Sequence, residues 1–281
     1  MKKISLILCL ILIFSTIGCE KQSADNKITV AVSIAPEEHF VRKICGDNVN
    51  VITMIPTGAS AESYEMKFAD IARFNDSDVY FSIGVPAEEK GILPNLSKET
   101  KHISLAEASN NSYPDIKIGD TRDPHIWLSP KRATAMVDKI AEQIAKLDPD
   151  NAEAYERNAA EYTKELENVY DEISKILENR KTDVFYISHP SYGYFADDFG
   201  LEMIALEQDG KEITPKELTA LTNSAIKSGI KTVFCQEETS TSHAELLAKE
   251  IGGKVEILRP LSPDYETELK RTANLLSEAM K

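Results

Sequence analysis

The sequence predicts an α/β protein of two lobes, each built on a largely parallel sheet and joined by one long helix. Three observations predict it. Short β-rich apolar runs alternate with amphipathic helical runs over residues 28–147. The same alternation restarts after residue 180 and runs to the end of the chain. Between them, residues 148–180 carry no break, and Tyr155, Ala159, Tyr162, Leu166, Val169, Ile173 and Ile176 recur at alternating steps of four and three. That spacing paints one apolar seam on one helix face. Strands alternating with helices are the pattern of parallel sheets, and a helix of about 30 residues spans about 45 Å, enough to run along a whole globular body.

Taken in order, "ITVAVSI" (28–34) reads as a strand, followed by strand-like "VNVITMIP", the loop "TGASAES" and a helical "YEMKFADIARF". "DVYFSIG" is the next strand. "SPKRATAMVDKIAEQIAKL" is a helix with Ser129 as its cap, Pro130 in its first turn and an apolar stripe of Met136, Ile140, Ile144 and Leu147. Asp148 and Pro149 open the long helix. Beyond it, "DVFYIS", "KTVFCQ" and "KVEILRPL" read as strands. "TPKELTALTNSAIKSGI" reads as a helix with a Thr214/Glu217 capping box and Gly229 near its end. "SHAELLAKEIGG" and "DYETELKRTANLLSEAM" complete the helices. The expected organisation is a signal segment (1–18), a tether (19–27), a first lobe (28–147), the connecting helix (148–180) and a second lobe (181–281).

The N-terminus bears on location. Lys2 and Lys3 precede the uncharged run "ISLILCLILIFSTI", which is shorter than the roughly 20 residues of a bilayer span, and "TIGCE" follows. The Gly-Cys ending resembles a bacterial lipobox, with Thr16 where a Leu is usual, and predicts lipidation at Cys19. Cleavage after residue 18 would remove two lysines and take the formal charge from −14 to −16. So acidic a body argues against nucleic-acid binding. Past Cys19 only Cys45 and Cys235 remain, too few and too far apart for a disulfide scaffold.

Ligands in open α/β sheets bind beyond the carboxyl ends of strands. The polar residues that follow predicted strands are Glu62 and Glu65, His189, Gln236 to Glu238, and Arg259, while His125 sits in "DTRDPHIWLSP", just ahead of the Ser129-capped helix. If both lobes turn their strand ends to one cleft, Glu62, His125, His189 and Arg259 converge. Imidazole with carboxylate suits zinc and other borderline divalent ions. The spacing matches no short local zinc motif.

The chain resembles the metal-specific, cluster A-I solute-binding proteins of bacterial ABC importers, the zinc and manganese lipoproteins. The resemblance covers residues 28–281 and rests on "SIAP", "PTGASAESYE", "GVPAEE", "DPHIWLSP", "HPSYGYFADDFGL", "GKEITPKEL" and "LAKEIGGKVEILRPL" in that order. It implies two lobes joined by a rigid helix with zinc, or alternatively manganese, held between them by His125 and His189. It also implies an extracytoplasmic, lipid-anchored monomer that delivers the ion to an ABC permease and is not an enzyme. Two positions depart from the family pattern. Glu62 stands where a His is usual, and Arg259 where an Asp or Glu is usual. A carboxylate can replace an imidazole, but a guanidinium cannot bind a metal. Arg259 is therefore expected to pair with Glu62, Glu207, Glu237, Glu238 or a bound anion, acting behind the site or as an anion contact.

Of the other histidines, His39 is expected near the cleft lip as a substitute ligand at most, His102 as structural and His243 as exposed in a first helical turn. Trp127 is expected to pack. The segment "EASNNSYPDIKIGDTR" holds no histidine, so it offers no zinc-collecting loop. Two alternatives stay open: a secreted zinc hydrolase, and a carrier of an anion or metal chelate that uses Arg259.

Overall fold

The computed structural model describes residues 27–281 apart from 209, 210 and 213. The expected signal segment, Cys19 and all of the tether but its last residue lie outside the described residues.

The first half builds β1 (Thr29–Val32), α1 (Ala35–Cys45), β2 (Asn50–Thr53), α2 (Phe68–Asn75), β3 (Val79–Ser82), β4 (Lys101–Ser104), α3 (Leu105–Asn110), the small antiparallel hairpin β5 (Lys117–Ile118) and β6 (Thr121–Arg122), and α4 (Pro130–Leu147). Then comes α5 (Ala152–Leu177). The second half builds β7 (Val184–Ile187), α6 (Gly193–Phe199), β8 (Glu202–Ala205), the hairpin β9 (Glu207–Gln208) and β10 (Lys211–Glu212), α7 (Pro215–Lys227), β11 (Thr232–Gln236), α8 (Ser242–Glu250), β12 (Lys254–Leu258) and α9 (Tyr265–Ala279).

Each half carries one four-stranded sheet, parallel throughout, in the orders β2-β1-β3-β4 and β12-β11-β7-β8. In both, the chain steps first to one side of its opening strand and later to the other. The switch falls between β1 and β3 in the first sheet and between β7 and β11 in the second. Such points open a crevice beyond the strand ends. Strands β3 and β11 are buried along their whole length, as sheets covered by helices on both faces require.

The long helix is shorter than its sequence pattern. A 3-10 turn at Pro149–Asn151 precedes it, and α5 proper begins at Ala152. Its buried seam is Tyr155, Ala159, Tyr162, Leu166, Val169, Ile173 and Leu177, so the final step is four residues to Leu177 and leaves Ile176 half-buried. A straight helix of 3.6 residues per turn drifts off a strict 3.5 repeat, and this is the drift. Helix α5 packs on α1 and α4 of the first half and on α9 of the second. Asn158 donates to the Ile44 carbonyl (2.8 Å) and Ser277 to the Ile176 carbonyl (3.0 Å), fixing α5 to both. One apolar core runs through the seam into both halves, and a smaller one lies under α7 and α8.

The capping predictions can be read directly. The Ser129 hydroxyl accepts from Arg132 N and donates to Asp198 (2.6 Å), and Thr214 with Glu217 forms a reciprocal capping box. The helical run expected at 64–74 starts only at Phe68. Tyr64 N bonds the Ser60 carbonyl in a loop turn, and residues 64–67 stay outside the helix.

Candidate metal centre

Four segments meet at one pocket. Glu62 comes from the loop after β2, and His125 from the turn before the Ile126–Leu128 3-10 segment. His189 lies two residues past β7, Gln236 ends β11, and Glu237 to Thr239 follow it. Glu62, His125 and His189 each present a ligand atom, and the three atoms lie within 4.8 Å of one another. Glu62 Oε1 stands 2.8 Å from His189 Nε2 and 3.9 Å from His125 Nε2. The two imidazoles meet edge to face with ring centres 5.4 Å apart. Both histidines are buried, while the Glu62 side chain is 39% exposed. Glu62 thus forms the solvent-side wall.

Each imidazole has a carboxylate behind it. His125 Nδ1 is 2.8 Å from Asp123 Oδ1, which also accepts from His125 N (2.9 Å). His189 Nδ1 is 2.8 Å from Glu207 Oε2. A proton held on Nδ1 by a carboxylate leaves the Nε2 lone pair free, which is how metal-binding histidines are oriented. Asp123 is fully buried and packs so tightly that a Cβ on Gly193 would meet its Oδ2 at 2.5 Å. Any side chain at 193 would have to displace the Asp123 carboxylate. Burial works to lower the His189 pKa, but the Glu207 and Glu62 carboxylates outweigh it and hold the ring up at about 9. Burial in turn acts to raise Glu62, and the two histidines with Lys90 bring it below its ordinary value.

The pocket these residues line is small. Its volume is about 20 Å³, and Trp127, Gln236 and Glu238 share its wall. That is room for one ion or one water. Outside it a wider groove of about 680 Å³ reaches the same three side chains between Lys90, the β5–β6 hairpin and Pro190.

Trp127 packs, as expected, and also ties the halves together. It is 1% exposed, its Nε1 donates to the Pro260 carbonyl (2.8 Å), and its own carbonyl accepts a short bond from Tyr265 Oη. At the strand ends of the first sheet, Glu37 accepts from Ser33 N and Ile34 N, and Glu88 from Ile83 N and Gly84 N. Burial holds both carboxyl groups above their ordinary pKa. These two buried acids clamp the loops beside the site.

Arg259 stands apart from the pocket wall. Its guanidinium is half exposed and pairs with Glu237 at 3.3 Å, one of the partners expected for it. His39 is a correction: it faces Glu266 of α9 at 2.9 Å, and that carboxylate, not the cleft, takes its Nε2. His102 bonds Ser82 (2.8 Å) and stacks on Tyr80, a structural role. His243 is half-buried rather than exposed. The sequence reading passed over Asp123 as a partner of His125. The signal was present in "DPH", an acid two residues before an imidazole. It had no means of finding Glu207 behind His189, because the two are eighteen positions apart with β8 between them.

The chain matches the family described as "Zinc-uptake complex component A periplasmic" over residues 30–279. The "High-affinity zinc uptake system protein ZnuA" of Bacillus subtilis is 31% identical over 86% of this chain and 82% of its own. The "Zinc-binding lipoprotein AdcA" of Streptococcus pneumoniae is 29% identical over 99% of this chain and 59% of its own, so this chain spans about three-fifths of that relative's length. A crystal structure of a ZnuA deletion mutant with zinc bound superposes with a TM-score of 0.85 at 33% identity, covering 91% of this chain and 99% of that one. With two parallel sheets, one helical spine and a family match across nearly all of its described length, the chain belongs to the ZnuA family, zinc-uptake complex component A.

Proposed function

We propose that this chain is the extracytoplasmic solute-binding component of an ABC importer for zinc, carrying one ion on Glu62, His125 and His189. The observation that carries the reading is the pocket: two carboxylate-backed imidazoles and a carboxylate round a volume of about 20 Å³. Two nitrogens and an oxygen suit zinc better than manganese, which favours oxygen donors. The innermost pocket admits a bare ion, and Glu62, His125 and His189 also border the wider groove outside it. Arg259 pairs with Glu237 outside the pocket, which disfavours a carrier of an anion or chelate held by Arg259. The relatives named above are a zinc-uptake protein and a zinc-binding lipoprotein, and the family is a transport component. The partner is then a membrane permease. Cys19 is the lipid-bearing residue, the mature chain works as a monomer, and no described helix is long and apolar enough to cross a membrane.

The test is zinc content and affinity of the mature protein. Wild type should carry one zinc per chain, and His125→Ala and His189→Ala should each weaken competition with a chelator by at least about a hundredfold. Undiminished affinity in both variants refutes the assignment. Cys19→Ala should release the folded protein from the membrane fraction. Retention with unchanged mass refutes the anchor.

A further inference from the structure

We propose that Glu238 supplies a fourth ligand to the ion, an inference that rests on the zinc reading of Glu62, His125 and His189. Three protein donors leave one position open on a tetrahedral ion. Among the described residues, the pocket wall holds one further acid, Glu238. Its Oε2 is buried and has no hydrogen-bond partner. A carboxylate oxygen withdrawn from water without a donor is costly, and a cation in the same pocket removes that cost. Topology puts it in the right place. His189 follows β7 and Glu238 follows β11, the adjacent strands that flank the switch point of the second sheet. The neighbouring strand end cannot serve, because Arg259 emerges from β12 beside Glu237, whose N–H bonds the Leu258 carbonyl at 3.0 Å. Arg259 draws Glu237 outward and leaves Glu238 as the inward acid. Glu238 is not among the three donors gathered within 4.8 Å, so ligation requires its side chain to swing toward them.

Loss of affinity alone would not separate a ligand from a supporting group, since either costs about 10–100-fold. The decisive probe is therefore a thiol. Cobalt(II) titrated into metal-free Glu238→Cys should give a thiolate-to-cobalt charge-transfer band that saturates at one equivalent. Wild type, whose Cys45 and Cys235 are buried, should give none. In Glu238→Gln, zinc affinity by chelator competition should fall at least tenfold with an unchanged circular dichroism spectrum. Cobalt bound to Glu238→Cys without the band, or an affinity within threefold of wild type in Glu238→Gln, overturns the proposal. If His125→Ala still loses its affinity in that case, the three-residue site stands with water completing it. If His125→Ala and His189→Ala bind as wild type does, the parent reading fails as well.

Discussion

Replacing Glu207 with Gln keeps a hydrogen-bond acceptor at His189 Nδ1 and removes its charge. Two effects then oppose each other. The lost carboxylate weakens the imidazole as a ligand, at a cost of about 10–100-fold in metal affinity. It also lowers the basicity of a ring that stands at about 9 in the metal-free protein. At pH 7 that ring is almost wholly protonated, and zinc must expel the proton at a cost of about a hundredfold in apparent affinity. At pH 9 the same cost is only about twofold. If the variant ring returned all the way to its ordinary 6.5, it would pay almost nothing at either pH. The ratio of wild-type to variant affinity should therefore climb from pH 7 to pH 9 by up to about 40-fold, less to the extent that Glu62 still supports the proton. Near pH 7 the two proteins should bind zinc almost equally. The assay is competition against a chelator of known pH dependence at half-unit steps from pH 6.5 to 9. An affinity ratio that stays flat across that range refutes the claim that Glu207 acts through the His189 proton.

The same proton links pH to folding. A histidine whose folded pKa is raised contributes stability that is fully present below its unfolded pKa near 6.5 and is lost as pH rises through about 9. Metal-free wild type should thus lose about 3 kcal/mol relative to His189→Gln across that window, read from urea unfolding; equal pH slopes would disprove it. Arg259→Ala should leave zinc affinity within about threefold and stability within about 0.5 kcal/mol, since the Arg259–Glu237 pair is half exposed and off the pocket wall. A tenfold tightening would return Arg259 to the site. Ser129→Ala removes both the cap on Arg132 N and the bond to buried Asp198, and should cost about 1–3 kcal/mol in denaturant unfolding with the zinc stoichiometry unchanged.

Much of the architecture is local and so could be read from the sequence. Continuous apolar strand runs, the Ser129 and Thr214 caps and the 3.6-residue seam from Tyr155 to Ile173 are signals that short stretches of chain carry by themselves. The α5 start was misread because Asp148 and Pro149 look like a cap and first turn, whereas the chain spends Pro149–Asn151 in a 3-10 turn. The histidines that face the pocket were also found in the sequence, through "DPHIWLSP" and "HPSYGYFADDFGL". What the sequence left open was which polar groups meet. Glu62 and His189 are 127 positions apart and touch because the loops that follow β2 and β7 meet at one pocket. Glu207 reaches His189 only through the parallel pairing of β7 with β8. Arg259 turns outward to Glu237 while Glu238 lines the pocket, a choice between adjacent residues made where β11 and β12 end side by side. Short-range pattern fixes the elements because their hydrogen bonds and apolar faces close within a few residues. The charge balance of the site was left to tertiary structure, because it depends on which side chains from distant strands share a small volume that excludes water.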